Sequence, residues 1–307
     1  WLLTGSNDKQ IKMWDVASGK EVWSLATPYY ISDIVTDPQM KYFIAGGTKE
    51  NGYADSATVY DWQSKKVLAK IPTDSKVALA ISADGKLLGI GEDNRVANVY
   101  ETSTWTKVKT FAHTEGWCGG CPTKLAFSND NAFLYTAANN GSIKKYRLSN
   151  NELVHVYDEK ADDITSLVIS PNDKTLAVAD EKEIKVWDAA RGTLLLRIPA
   201  EERNAFHEIV FTADSKKIIV CTDKNTAQVW NIAQNKIEKS LTGFLNERDK
   251  GGLNYDPNFY WESYIAKYVR FKNPMLITAD GKSLIKGKFG TKVKRWNIAS
   301  GRTEMTY

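Results

Sequence analysis

Seven short copies of one pattern, an alternating β-type run closed by an aromatic residue and usually a carboxylate or amide, limit the fold of this chain more than any other feature. They read Ile11-Lys12-Met13-Trp14-Asp15, Thr58-Val59-Tyr60-Asp61, Asn98-Val99-Tyr100-Glu101, Lys144-Lys145-Tyr146-Arg147, Ile184-Lys185-Val186-Trp187-Asp188, Gln228-Val229-Trp230-Asn231 and Lys294-Arg295-Trp296-Asn297. The aromatic falls at 14, 60, 100, 146, 187, 230 and 296, so most steps are 40 to 46 residues. A period of that size belongs to units that bury their apolar faces only against one another, in a propeller or a solenoid.

A second mark is independent of the first. Ser or Thr followed by turn formers recurs as Ser82-Ala83-Asp84-Gly85-Lys86, Ser128-Asn129-Asp130-Asn131, Ser170-Pro171-Asn172-Asp173-Lys174, Thr212-Ala213-Asp214-Ser215-Lys216 and Thr278-Ala279-Asp280-Gly281-Lys282, with a looser Thr36-Asp37-Pro38. Gly, Pro, Asn and Asp suit a short connection that needs preset or positive φ and local side-chain bonds. The interval from this mark to the aromatic is 18 residues from 82 to 100, 128 to 146, 212 to 230 and 278 to 296, 17 from 170 to 187, and 24 from 36 to 60. The second copy therefore carries an insertion of about six residues.

The marks divide each unit into four short runs of β-branched and aromatic residues, too short for helices and bounded by turn formers. Examples are 164–169 before a turn, 217–221 after one, the aromatic run itself, and 194–198 at the end of a unit. Four strands in about 40 residues, with the aromatic and acid closing the third, resembles the WD-repeat β-propeller family over essentially the whole chain. The resemblance implies an all-β, seven-bladed propeller of four-stranded antiparallel blades, forming one domain over 1–307. Seven aromatic strands but six turn marks leave the first blade without its innermost strand. We expect the chain to be cut from a longer one, fused there to another domain, and residues 302–307 to form the last outer strand.

The 42% hydrophobic and 25% charged content fits a soluble globular chain with room for a large core. A net charge of +4 is too mild to point to nucleic acid. Three cysteines make no disulfide framework, and no apolar run approaches a membrane span. Cytoplasmic residence without membrane attachment is the expectation. No phosphate loop, nucleophile elbow, metalloprotease helix or calcium loop is present, and three scattered histidines give no catalytic cluster. We expect no enzyme and no cofactor.

Candidate functional residues come from the places where blades depart from the regular spacing. Between the second and third strands of blade two, Thr48 to Ser56 holds Tyr53. Between blades three and four, residues 113–122 hold Trp117 and a Cys118-x-x-Cys121 pair, which could be a redox pair or, with His113, part of a zinc site; a glycine-rich loop with two incidental or locally bridged thiols is the simpler alternative. The family resemblance gives His113 a structural role, because the family's repeats tie the corresponding His to a strand Ser/Thr, a turn Asp and the third-strand Trp. Here Tyr146 and Asn140 replace Trp and Asp, so the set is partial.

The largest departure follows blade six. Insertion 245–273 contains Asp256-Pro257, which suits a helix start, followed by Trp261, Tyr264, Ile265 and Tyr268 on one face; a strand competes, and Tyr260 extends the aromatic surface. A short helix inserted between blades six and seven is expected. Lys288, Phe289 and Lys292 of blade seven are expected on the same rim. The resemblance implies a non-catalytic interaction platform binding protein or peptide partners on this rim, with Tyr53, Trp117, Tyr260, Trp261, Tyr264, Lys288, Phe289 and Lys292 as contacts. The alternatives are a propeller hydrolase or metal-dependent enzyme at the channel mouth, and a binder of an anionic ligand through the blade-seven lysines.

Overall fold

The computed structural model describes residues 1–306 apart from 7, 49–55, 74–77, 93–94, 114–121, 139, 159–163, 181, 201–205, 223–225, 242–274, 279 and 287–293. The described residues form one three-stranded and six four-stranded antiparallel sheets, each in sequence order or its reverse. Blade one spans 2–26, blade two 30–72, blade three 78–112, blade four 122–158, blade five 166–199, blade six 206–241 and blade seven 275–306. As the count of turn marks requires, blade one is the three-stranded sheet, built from Leu2–Gly5, Gln10–Trp14 and Glu21–Ala26. The last outer strand is Thr303–Thr306. The expected helix within 245–273 lies outside the described residues.

Among the described residues there is no single central core. The buried apolar residues fall into seven clusters, and each joins two consecutive blades. This is sheet-on-sheet packing repeated around an axis: a blade exposes neither face, so its strands are apolar on both. In the third strand of blade five, Ile184 and Val186 pack toward blade six while Trp187 packs toward blade four. The seventh cluster closes the ring, bringing Leu2, Trp14 and Val16 of blade one against Ile285 and Met305 of blade seven. Its buried members are Leu2 and Ile285 alone, with the others partly buried. Such a thin closure fits a blade one with three strands, which has less face to offer. Arg295 of blade seven donates to the Val16 carbonyl across the same junction at 3.2 Å.

The repeat aromatic now has a physical reason. Tyr60, Tyr100, Tyr146, Trp187 and Trp296 each sit buried in the cluster shared with the preceding blade. Immediately before every one of the seven aromatics, the pairing with the outer strand shifts by one residue. A bulge at that point adds local twist and turns the strand into the hairpin that follows.

The residue after the aromatic builds that hairpin. Asp15, Asp61 and Asp188 accept the N–H groups of Ser18, Ser64 and Arg191 at 2.6, 2.6 and 2.7 Å, and Asn231 and Asn297 do the same for Gln234 and Ser300. Hydrogen bonding holds all three carboxyls below the usual range, led by the Ser18 hydroxyl at Asp15, the Ser64 N–H at Asp61 and the Arg191 N–H at Asp188. Four positions further on, Gly19, Lys65, Trp105, Asn151, Gly192, Asn235 and Gly301 all have positive φ. This seventh-blade-to-first regularity is a turn requirement, so the acid is structural.

The Ser/Thr turns join neighbouring blades. In each, the fourth residue has positive φ: Met40, Gly85, Asn131, Asp173, Ser215 and Gly281. Where that residue carries an acceptor, it takes an N–H from the preceding blade. Asp84 N–H reaches Asn131 Oδ1 at 3.4 Å, Asp130 N–H reaches Asp173 Oδ2 at 3.0 Å, and Asn172 N–H reaches Ser215 Oγ at 3.2 Å. In blade two the place of the Ser/Thr belongs to Asp37, whose N–H bonds the Tyr42 carbonyl as Ser82 N–H bonds that of Leu87. The expected mark at Thr36 is thus one residue early, and the insertion in that blade is one residue shorter than the spacing from 36 suggests.

Candidate functional site

Among the candidate residues, His113 is the one whose position is described. It follows the outer strand Thr106–Ala112 of blade three and is 1% exposed. Its Nε2 lies 2.6 Å from Thr136 Oγ1 on the second strand of blade four. Tyr146, in the position of the family's Trp, donates its hydroxyl to the Ala112 carbonyl at 3.1 Å. Asn140 accepts the Ser142 N–H at 3.1 Å, closing its own hairpin turn. His113 Nδ1 has no partner among the described residues. Burial, with the Lys144 charge second, pushes the imidazole down to about 4. A neutral, buried ring that joins two blades is structural, and the histidine–hydroxyl half of the expected set is the part that forms.

The strand ends locate the other departures. Thr48 and Ser56, which end and begin the second and third strands of blade two, are both buried. Tyr53 between them lies outside the described residues, as do Trp117, Cys118, Cys121, Tyr260, Trp261, Tyr264, Lys288, Phe289 and Lys292. The described coordinates therefore bring none of these side chains together. Cys221 is buried in the cluster shared by blades six and seven, its Sγ 3.0 Å from Met275 Sδ. Among the described residues no three His, Cys, Asp or Glu side chains are placed to hold a metal ion, and no helix is long and apolar enough to cross a membrane.

Seven interlocked sheets with the aromatic packing backward and the acid closing the turn are matched by a sequence comparison: residues 1–15, 105–147 and 151–188 fit the family described as WD domain, G-beta repeat. The fold is a seven-bladed β-propeller, and its sequence is similar to WD-repeat proteins. Similar WD-repeat-containing proteins include Pre-mRNA-processing factor 19 homolog 2 of Arabidopsis thaliana, 27% identical over 62% of this chain and 35% of that protein. Target of rapamycin complex subunit wat1 of Schizosaccharomyces pombe is 27% identical over 52% of this chain and half of its own length. Autophagy-related protein 16 of Arabidopsis thaliana is 24% identical over 45% of this chain and 30% of that protein. The matched parts thus cover between 30% and 50% of these relatives.

Two features of this ring are not legible in the sequence. One is the set of turn-to-turn bonds just described. The other is a cleft between blades five and six, where Trp230 stays partly exposed while the third-strand aromatics of blades two, three, four, five and seven are buried. Both depend on which residues of different blades face each other, and no local pattern encodes that.

Proposed function

We propose that this propeller is a non-catalytic platform that holds protein or peptide partners on one rim. The observation that carries the reading is the contrast between the two ends of the blades. At one end, the first-to-second and third-to-outer turns are short, repeat in conformation, and bond from blade to blade through Asn131, Asp173 and Ser215. At the other end, antiparallel order requires the second-to-third connections and the blade-to-blade connections to leave together. All the long departures belong to that second set: the chain between Thr48 and Ser56, between His113 and Pro122, between Leu241 and Met275, and between Lys286 and Lys294. Variable chain on a rigid scaffold is the usual place for binding residues, and Trp, Tyr and Arg dominate interface energetics.

The relatives support the same reading, since one of them is by name a subunit of a complex. The test is affinity capture from extracts of the source organism with the intact chain and with a variant lacking 246–272. Retention of specific proteins by the intact chain, and their loss from a deletion variant that still melts cooperatively, is the expected result. Identical retention by both chains would remove the insertion from the binding surface. A partner lost steeply with added salt would instead implicate Lys288 and Lys292 in holding an anionic group.

A further inference from the structure

Six of the seven blades carry an innermost strand, and in five of them its side chains divide between the neighbouring blades in one fixed order. In each of blades three to seven, two apolar residues spaced two apart enter the cluster shared with the blade before. In blade five these are Leu167 and Ile169, while Val168 between them turns to blade six. In blade four they are Leu125 and Phe127, with Ala126 turned to blade five.

Blade one has no such strand among the described residues, and Leu2–Gly5 is the edge of its sheet. Leu2 pairs with Trp14 as Leu176 of blade five pairs with Trp187, so Leu2–Gly5 holds the place of a second strand. The junction with blade seven therefore lacks the two apolar residues that an inner strand supplies at five other junctions. It is the cluster with two buried members, in which Trp14, Val16 and Met305 stay only partly buried. The backbone of the edge is open as well. Ser6 donates its N–H to the Gln10 carbonyl at 3.1 Å, and N–H groups alternate in direction along a strand, so those of Leu3 and Gly5 point away from Gln10–Trp14. In blade five the residue equivalent to Gly5 is Ala179, whose carbonyl accepts the Thr165 N–H of the inner strand segment at 2.9 Å.

We propose that the edge of Leu2–Gly5 takes an extended segment of a partner protein as a fourth, antiparallel strand, whose alternate apolar side chains complete the cluster with blade seven. The register of the sister strands defines that segment: Leu, Ile or Met opposite Thr4, then Ala, Val or Leu opposite Leu3, then Ile or Phe opposite Leu2. An unpaired strand edge is a template for such addition. Main-chain bonds supply the affinity, and the pockets for alternate side chains supply the selection. The source is a partner because each described strand of this chain already lies in its own sheet. The site is the inner edge of blade one and uses none of the rim residues proposed above.

The probe is a labelled synthetic peptide with the sequence of residues 164–171, the inner strand of blade five, added to the intact chain. It should bind saturably, raise the melting temperature as a ligand of the folded state does, and slow hydrogen exchange of the Leu3 and Gly5 amides read by NMR. Leu167→Asp or Ile169→Asp in the probe should weaken binding at least about tenfold, the loss of one buried apolar side chain, and a scrambled probe should not bind. In the chain, Leu3→Pro removes an outward N–H and none that bonds Gln10–Trp14; it should abolish binding while the melt stays cooperative. If that variant does not fold, the two amide exchange rates and the probe variants decide. No binding, equal binding of the scrambled probe, unchanged exchange at Leu3 and Gly5, or undiminished binding by a folded Leu3→Pro chain would each overturn the proposal. Self-association that slows the same two amides would assign the edge to a second copy. Refusal of the probe by a longer polypeptide containing these residues would assign it to that polypeptide's own chain, and either result overturns the partner.

Discussion

Replacing the fourth residue of a Ser/Thr turn by glycine should have unequal consequences in adjacent blades, because two effects compete there with different weights. Asp173 has φ 57, and relieving a left-handed conformation is worth about 1 kcal/mol. Against that gain, Asp173 Oδ1 accepts the Asn129 N–H and side-chain amide, both at 2.8 Å, and Oδ2 accepts the Asp130 N–H at 3.0 Å. These bonds are solvent-exposed, so about 1 kcal/mol each is appropriate. Asp173→Gly should therefore destabilise the chain by about 2 kcal/mol. Ser215, at φ 60, accepts a single N–H from Asn172 at 3.2 Å. There the gain and the loss cancel, and Ser215→Gly should stay within about 0.5 kcal/mol of the parent. Urea unfolding followed by tryptophan fluorescence, with unchanged slopes, reads both values. If Asp173→Gly matches the parent, or if the two variants lose stability equally, the turn-to-turn bonds do not hold the blades together.

Three further outcomes follow from the same geometry. The folded chain protonates His113 only near pH 4, whereas the unfolded chain does so near 6.5; its contribution is complete above 6.5 and falls away as pH drops toward 4, by up to about 3 kcal/mol, and a His113→Gln chain that keeps the same acid slope would contradict this. Gly192→Ala places a methyl against the His155 ring at φ +69 and should cost about 3 kcal/mol, while Gly281→Ala, at φ +68 with open space around it, should cost about 1; equal melting shifts would refute the packing argument. Spin labels at Ser18 and Arg302, on a chain with its cysteines replaced, should show a short, narrow distance distribution because Gly19 packs on Met305. A long or broad distribution would mean that blade seven does not close on blade one.

The repeat was readable because each strand is bounded by its own turn residues, and turn chemistry is local. Trp187-Asp188 announced a strand end and a hairpin, and both formed. The positive-φ position four residues after the acid was present in the sequence as Gly19, Gly192 and Gly301. Asn151 and Asn235 are residues that tolerate a left-handed backbone, whereas Lys65 and Trp105 hid the pattern in the remaining two blades, since neither side chain signals it. The turn mark expected at Thr36 belongs to its neighbour Asp37, whose carboxylate accepts the Lys41 N–H where the serine hydroxyls of other blades accept the N–H five residues on. The family pattern led to a bond between His113 and a strand hydroxyl, and the Nε2 contact with Thr136 is that bond; that the two residues lie on different blades was not expected. The bonds of Asp173 and the partly exposed Trp230 were not legible, because each is decided by a neighbour about forty residues away that no local rule pairs with it.

Hydrogen exchange by mass spectrometry on the chain, alone and saturated with a captured protein partner, tests the platform assignment most directly. Protection is expected in peptides covering 49–55, 114–121, 242–274 and 287–293, with none gained at the turns 82–86, 128–132, 170–174 and 212–216. Protection concentrated on those turns would place the partner on the opposite end of the ring and contradict the account.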